Sequence, residues 1–526
     1  MRYGLAFGIA AAVAPAAHAM LVNPQGTGQV LVFPYYTANG GNDTLITVAN
    51  TTAHAKAVKV RFHEGYDGRG VLDLDVYVAP HGTWSASVTS SGDDASFARL
   101  VTSDAACTVP ALTAHALAFS DASYAGENGA TERTGNADGG PETPDRTREG
   151  HFDVFEMGEV TGNVHGSADA VAAANCGAIA AAWASGGYWS SNADADLSPP
   201  AGGLYGIEYV IDVARGTMFG VDAAAIDGFR SAPLHTAPGD DTPDLDSASA
   251  EASGRYATLV IADGAPRALE YDDPVDAVSA LFMAESLEGN FTRSAAIGAE
   301  TDWIVTAPTK RWYVDPAIVD NARPPFETSF IQHYTAGQMT SNGVVTETWA
   351  SSFPYACANV AAIGYGRDGV AIALGASNDG GSVDPASPMA ANPGMTPCLE
   401  TSVLTFSTGL DSANFEVPQS AIGSRLTNAA DPGEHVSRVL TGGVELLPVA
   451  GSVSLDLVHD MRGDVNPAHA LAAASNGDVL TGLPVIAFSA TTFVNGDVAN
   501  GVLANYGASA AVRSRAACVN AAGSCR

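Results

Sequence analysis

Lysine is almost missing from this chain: Lys56, Lys59 and Lys310 are the only three in 526 residues. Charged residues make up 15% of the whole against a usual quarter, and 24 basic against 57 acidic residues leave a formal charge of −33. The acidity therefore comes from missing bases more than from surplus acids, and catalysis through a lysine has few places to reside. Phosphate recognition needs clustered Lys and Arg that release counterions, so nucleic acid is excluded as a partner. No stretch reaches about 18 uninterrupted apolar residues, so no transmembrane helix is expected. No cysteines are spaced CxxC, which removes the signature of zinc ribbons, thioredoxin chemistry and c-type haem attachment. GxSxG, HExxH and Walker A are missing too, as is a GxGxxG between a strand and a helix. No residue is assigned a catalytic role on motif grounds.

What is present is enough apolar material for several cores: 46% of residues are hydrophobic, which argues against disorder. At the N-terminus Arg2, the apolar run Leu5 to Val13 and Ala17-His18-Ala19 form a signal peptide over 1–19, with cleavage after Ala19. That address implies export through the inner membrane to the cell surface or medium, or to the periplasm. Removing Arg2 leaves the mature chain at −33 − 1 = −34. In an exported protein the six cysteines favour disulfides. The simplest pairing is sequential: Cys107 with Cys176, Cys357 with Cys398, Cys518 with Cys525.

The spacing predicts a mainly β fold. Strands are expected over 29–36, 44–50, 56–62, 71–79 and 83–88, separated by turn chemistry such as Glu64-Gly65-Tyr66-Asp67-Gly68-Arg69-Gly70. In the third, Val58, Val60 and Phe62 point one way while Lys59 and Arg61 point the other. In the fourth, Leu72, Leu74, Val76 and Val78 oppose Asp73, Asp75 and Tyr77. This is the pattern of half-buried antiparallel strands, and it suggests an immunoglobulin-like sandwich over 20–110. A central β-rich region with long polar loops follows over 111–340, and a C-terminal β-rich region over 341–526. Residues 121–150, 238–253 and 378–397 are polar loops. Short helices are expected at Ala168 to Trp183 and Pro274 to Leu287, and strands at Thr301 to Thr306 and Lys310 to Val314.

Several groupings could carry chemistry. His165-Gly166-Ser167-Ala168-Asp169 holds the residue types of a hydrolase triad, although neighbours in sequence are rarely the members that meet. Asp153, Glu156 and Glu159 stand on or near one strand, where Asp153 and Glu159 share parity and could line a groove as a glycosidase carboxylate pair. Asp240, Asp241, Asp244 and Asp246 offer oxygen ligands for calcium, as do Asn136, Asp138, Glu142 and Asp145, without EF-hand grammar. Trp183, Tyr188 and Trp189 could stack on a sugar ring. Lys310-Arg311, the only adjacent basic pair, is expected to bridge local acids.

Asn50-Thr51-Thr52 and Pro80-His81-Gly82-Thr83-Trp84 resemble bacterial surface sandwich modules. Val30 to Tyr36, Thr301 to Asp315 and Gly482 to Phe488 together resemble a group of exported proteobacterial proteins. The resemblance implies export and brings no catalytic residues with it. The expected function is thus a secreted or cell-surface, non-enzymatic protein with a structural, adhesive or filament-forming role. Its partners would be an extracellular polymer, a cell surface or further copies of the chain. The alternative is a secreted polysaccharide hydrolase or lyase, assisted by calcium. An outer-membrane barrel is a third reading, weakened by the ending Cys525-Arg526.

Overall fold

The computed structural model describes residues 19–90, 97–112, 116–125, 140–328, 333–341, 344–353, 356–366, 369, 371–373, 394–395, 397–406, 420–426, 449–460, 463–523 and 525. The expected signal peptide over 1–19 therefore lies, but for Ala19, outside the described residues, as does most of 378–397. The fold is mainly β, as the alternation predicts. Its sheets are antiparallel and its helices are few and short.

The first sheet runs in the order Leu21–Val22, Ala224–Asp227, Val30–Thr37, Glu149–Val160, Ala55–Glu64, Gly70–Val78, Cys107–Val109, with Leu197–Ser198 added to Glu149–Val160. The second runs Thr217–Asp222, Leu204–Asp212, Asn42–Asn50, Thr83–Ser90, Ala98–Val101, Leu117–Ala118. The two face each other across one apolar core. Leu31, Phe33, Val58, Val60, Phe62, Phe152 and Val154 of the first meet Ile46, Val48, Trp84, Ala86 and Val88 of the second. These are the β-branched and aromatic residues that suit a pleated surface. Phe152 stacks on Phe33 at 4.2 Å and on Phe62 at 4.9 Å, which fixes the register of the three middle strands. Gly150 completes that register. A Cβ there would stand 2.0 Å from the His63 carbonyl oxygen.

The sandwich is not built from 20–110 alone. Glu149–Val160 lies between Val30–Thr37 and Ala55–Glu64, and Leu204–Asp212 pairs along the whole of Asn42–Asn50. The expected boundary at 110 thus falls inside a pair of sheets. The boundary at 340 does as well, because Ser286–Thr292 pairs with Ala450–Asp456, and Ala299–Thr306 lies between Thr401–Phe406 and Ile486–Ala499. A strand needs a hydrogen-bonding neighbour, and here the neighbours come from distant sequence.

The later sheets form a third layer. Val30, Val32 and Phe155, on the other face of the first sheet, join a core with Phe291, Trp303, Tyr313, Leu404, Phe406 and Leu455. The first sheet is therefore covered on both sides, and all residues of Val30–Thr37, Ala55–Glu64 and Glu149–Val160 are buried.

Local structure departs from expectation in three places. The helix expected over 168–183 is two helices, Ser167–Ala172 and Cys176–Trp183, broken where Ala174 takes φ +50°. Pro274–Ala280 ends before Leu287, since Ser286 to Thr292 is drawn into a sheet. Lys310 to Val314 is no strand: Arg311–Val314 is one helical turn after Pro308. The three disulfides are the sequential ones, Cys107–Cys176, Cys357–Cys398 and Cys518–Cys525. The first ties the strand Cys107–Val109 to the helix Cys176–Trp183. Among the described residues no helix is long and apolar enough to cross a membrane.

Candidate functional site

Alternation places Lys59, Arg61 and His63 on one face of Ala55–Glu64, His151 and Asp153 beside them on Glu149–Val160, and Asp73, Asp75 and Tyr77 on Gly70–Val78. The sequence alone suggests that this polar face meets water. In the structure it is covered by the third layer, and most of its charges are paired within the protein. Lys59 pairs with Asp75 at 2.7 Å, and Arg61 with Asp73 at 2.6 Å and with Asp244 from a distant loop. Burial outweighs the lysine at Asp75 and pushes its carboxyl up to about 7. At the edge of the layer, Arg146 grips Glu64 through two bonds of 2.7 and 2.9 Å. Arg69 joins Asp67 at 3.2 Å to Asp315 at 3.0 Å.

Lys310 and Arg311 belong to this layer. Lys310 Nζ donates to the Cys398 and Leu399 carbonyls at 2.9 and 3.2 Å, and burial lowers its pKa to about 7. Arg311 donates to the Gly68 carbonyl at 3.0 Å. The Glu400 carboxyl faces both cations and is held well above the usual carboxylate range, by burial first.

In the middle of the layer His63, His151 and Asp153 converge, each offering a ligand atom within 4.8 Å of the others, and all three are buried. His63 and His151 stack at 4.9 Å. Burial holds both imidazoles well below their ordinary range and Asp153 well above its own. His63 Nε2, His151 Nδ1 and both Asp153 oxygens have no hydrogen-bond partner among the described residues. An orphaned buried polar atom costs about 1–3 kcal/mol, so their convergence at one point is unusual. Sequence reasoning reached Asp153 and missed both histidines. Their shared parity with Lys59 and Arg61, and with Asp153, was a usable signal, but the register that puts His63 opposite His151 is a property of the fold. Asp478, Cys518 and Cys525 also lie together, but the two cysteines are spent in a disulfide.

The other sequence candidates are dispersed. Glu156 and Glu159 do not line a groove with Asp153. Both turn to the fully buried Lys56, at 2.5 and 3.3 Å, and Glu156 also accepts from the backbone of Ala201 and Gly202. The four aspartates of the first calcium candidate do not converge, and three of them serve separate partners. Asp244 pairs with Arg61, Asp240 accepts from Ala237 N, Asp246 accepts from Ser247, and Asp241 is exposed. In the second, Asn136 and Asp138 lie outside the described residues, and Asp145 pairs with Arg425 at 2.7 Å.

Ser167 Oγ lies 2.7 Å from Asp196 Oδ2, which also accepts the backbone N–H of His165. Ser167, at the start of its helix, is thus held by Asp196 rather than by His165 or Asp169. Trp183, Tyr188 and Trp189 form a small core rather than an open platform. Trp189 is buried and stacks on Tyr77 at 5.2 Å. Trp183 Nε1 donates to Tyr77 Oη at 2.6 Å, and Tyr77 lies 2.8 Å from His235 Nε2. His235 Nδ1 faces the Ala193 carbonyl, so it carries the hydrogen and Nε2 accepts from Tyr77.

The chain matches no known family model, no curated protein and no solved structure. The site is therefore read from its own chemistry.

Removing one partner of a buried ion pair leaves an uncompensated charge. Lys56→Met strands Glu156 and Glu159, and is expected to cost about 3–5 kcal/mol in urea unfolding at pH 7. Much of that loss should return in Lys56→Met/Glu156→Gln. His235 is buried and neutral, with a pKa lowered to about 4. Between about 6.5 and about 4 the unfolded chain binds the extra proton, so this contribution is complete above pH 6.5 and is lost as pH falls. His235→Gln is expected to remove up to about 3 kcal/mol of the acid sensitivity. Urea midpoints of both proteins at pH 7 and pH 4 check this, and a gap between them that does not change with pH contradicts it.

Proposed function

We propose that this is an exported, non-catalytic protein that acts by contact, with further copies of itself, a cell surface or an extracellular polymer. The observation that carries this reading is the hairpin Tyr256–Ala262 and Ala265–Tyr271. Its inner face, with Val260, Ala262, Leu269 and Tyr271, enters the largest core. Its outer face is apolar near the turn, with Glu270 opposite Ala257 at the far end. Leu259 stands opposite Ala268 and Ile261 opposite Pro266, and all four are exposed, Ile261 by 64%. Cross-strand apolar pairs stabilise a sheet when something covers them, and contiguous exposed apolar surface marks contact sites.

Two further features support the reading. Three disulfides suit an oxidising compartment. The carboxylates that the sequence offered for glycan hydrolysis, Asp153 and Glu159 with Glu156 beside them, are buried.

Leu259→Asp/Ile261→Asp should leave the fold intact, because exposed positions away from special features usually change stability by about 0.5 kcal/mol or less. The variant is expected to weaken association at least about tenfold, the equivalent of about 1.4 kcal/mol. Light scattering across a concentration series and co-sedimentation with cells and with polysaccharide measure it. A wild-type protein that stays monomeric and binds neither cells nor polymer contradicts the proposal, as does undiminished association in the variant.

A further inference from the structure

His63 and His151 stand directly opposite each other on adjacent antiparallel strands, and Asp153 follows on the same face. His63 Nδ1 lies 2.9 Å from the Gly68 carbonyl oxygen, which can only accept. The ring hydrogen therefore sits on Nδ1, and the lone pair on Nε2 faces Asp153 Oδ2 at 3.6 Å. That distance is too long for a hydrogen bond, even from a protonated carboxyl. On the far side, His151 Nε2 faces Glu400 Oε1 at 3.8 Å. His63, His151, Asp153 and Glu400 are all no more than 1% exposed.

We propose that His63, His151 and Asp153 bind one divalent transition-metal ion, with zinc(II) the best fit to the site. The donor set is two imidazole nitrogens and a carboxylate, which suits zinc and its first-row neighbours rather than calcium or magnesium. An ion with bonds of about 2.0–2.1 Å to four tetrahedral ligands holds those atoms about 3.3 Å apart. The 3.6 Å between His63 and Asp153 is close to that, and the 4.8 Å bound on the set is within reach of small side-chain rotations.

The surroundings are those of a metal site. A metal-bound imidazole usually donates its other N–H to a carbonyl or carboxylate, which is what His63 does to Gly68. Gly68 has a second role, since a Cβ on it would stand 2.3 Å from the Glu400 carboxyl and push it away from His151. Its φ of +70° also favours glycine. Because the site is sealed, the ion is structural and enters as the chain folds. This inference does not depend on the contact reading of the hairpin.

The test is elemental analysis of the full chain, purified without chelator from cells grown with added zinc(II). It is paired with urea unfolding and refolding in zinc(II) or in a chelator. One zinc per chain is expected, with a higher unfolding midpoint for the zinc-refolded protein. Asp153→Asn and His63→Gln should each weaken zinc binding by at least about tenfold. Wild-type protein without stoichiometric metal, refolding to the same midpoint in zinc(II) and in chelator, overturns the proposal. Full zinc occupancy in both variants also overturns it, and if neither variant folds the wild-type measurements still decide.

Discussion

One β-sheet in this protein is buried on both faces, and one of those faces is charged. Taking Lys59, Arg61 and Asp75 out of water is costly unless each finds a partner. Much of the rest of the chain is placed so that such partners exist. Asp244 reaches in from a loop, Asp315 from the end of a helical turn, Glu400 from the start of a strand, and Arg146 from the turn before Glu149. The opposite face is an ordinary apolar core with aromatic stacking around Phe152.

This arrangement explains why the chain does not divide where its composition suggests. The first sheet takes strands from both ends of a stretch of about two hundred residues, and its charged face is closed by residues up to 400. Thr306 bonds the Pro34 carbonyl at 2.6 Å, and Glu400 N bonds the Tyr66 carbonyl at 2.9 Å, so the third layer is stitched to the first sheet through the backbone as well. Charged groups and backbone together therefore hold the third layer against the first sheet.

The fold class was legible because alternation in strands such as Ala55–Glu64 and Gly70–Val78 is a local signal. The sequential disulfides were legible for a similar reason, since each closes a loop between neighbouring cysteines. The burial of the charged face was not. A polar residue at every second position reads the same whether it meets water or a matching layer. The scarcity of lysine was the overlooked clue: all three lysines, Lys56, Lys59 and Lys310, are buried among acids and carbonyls. The His63 and His151 pair was hidden because 88 residues separate them in sequence while the register makes them neighbours. Lys310 to Val314 misled because its apolar and aromatic residues suit a strand, and only the packing of Trp312 and Tyr313 draws them into a turn of helix.

The strand Glu149–Val160 is sealed on both sides. Native-state hydrogen exchange tests it most directly, because amides in such a strand can exchange only when the layers separate. The amides from Phe152 to Glu156 are predicted to exchange with the free energy of global unfolding and to share its denaturant dependence. Exchange of those amides through local opening, at a free energy well below that of global unfolding, would contradict the account.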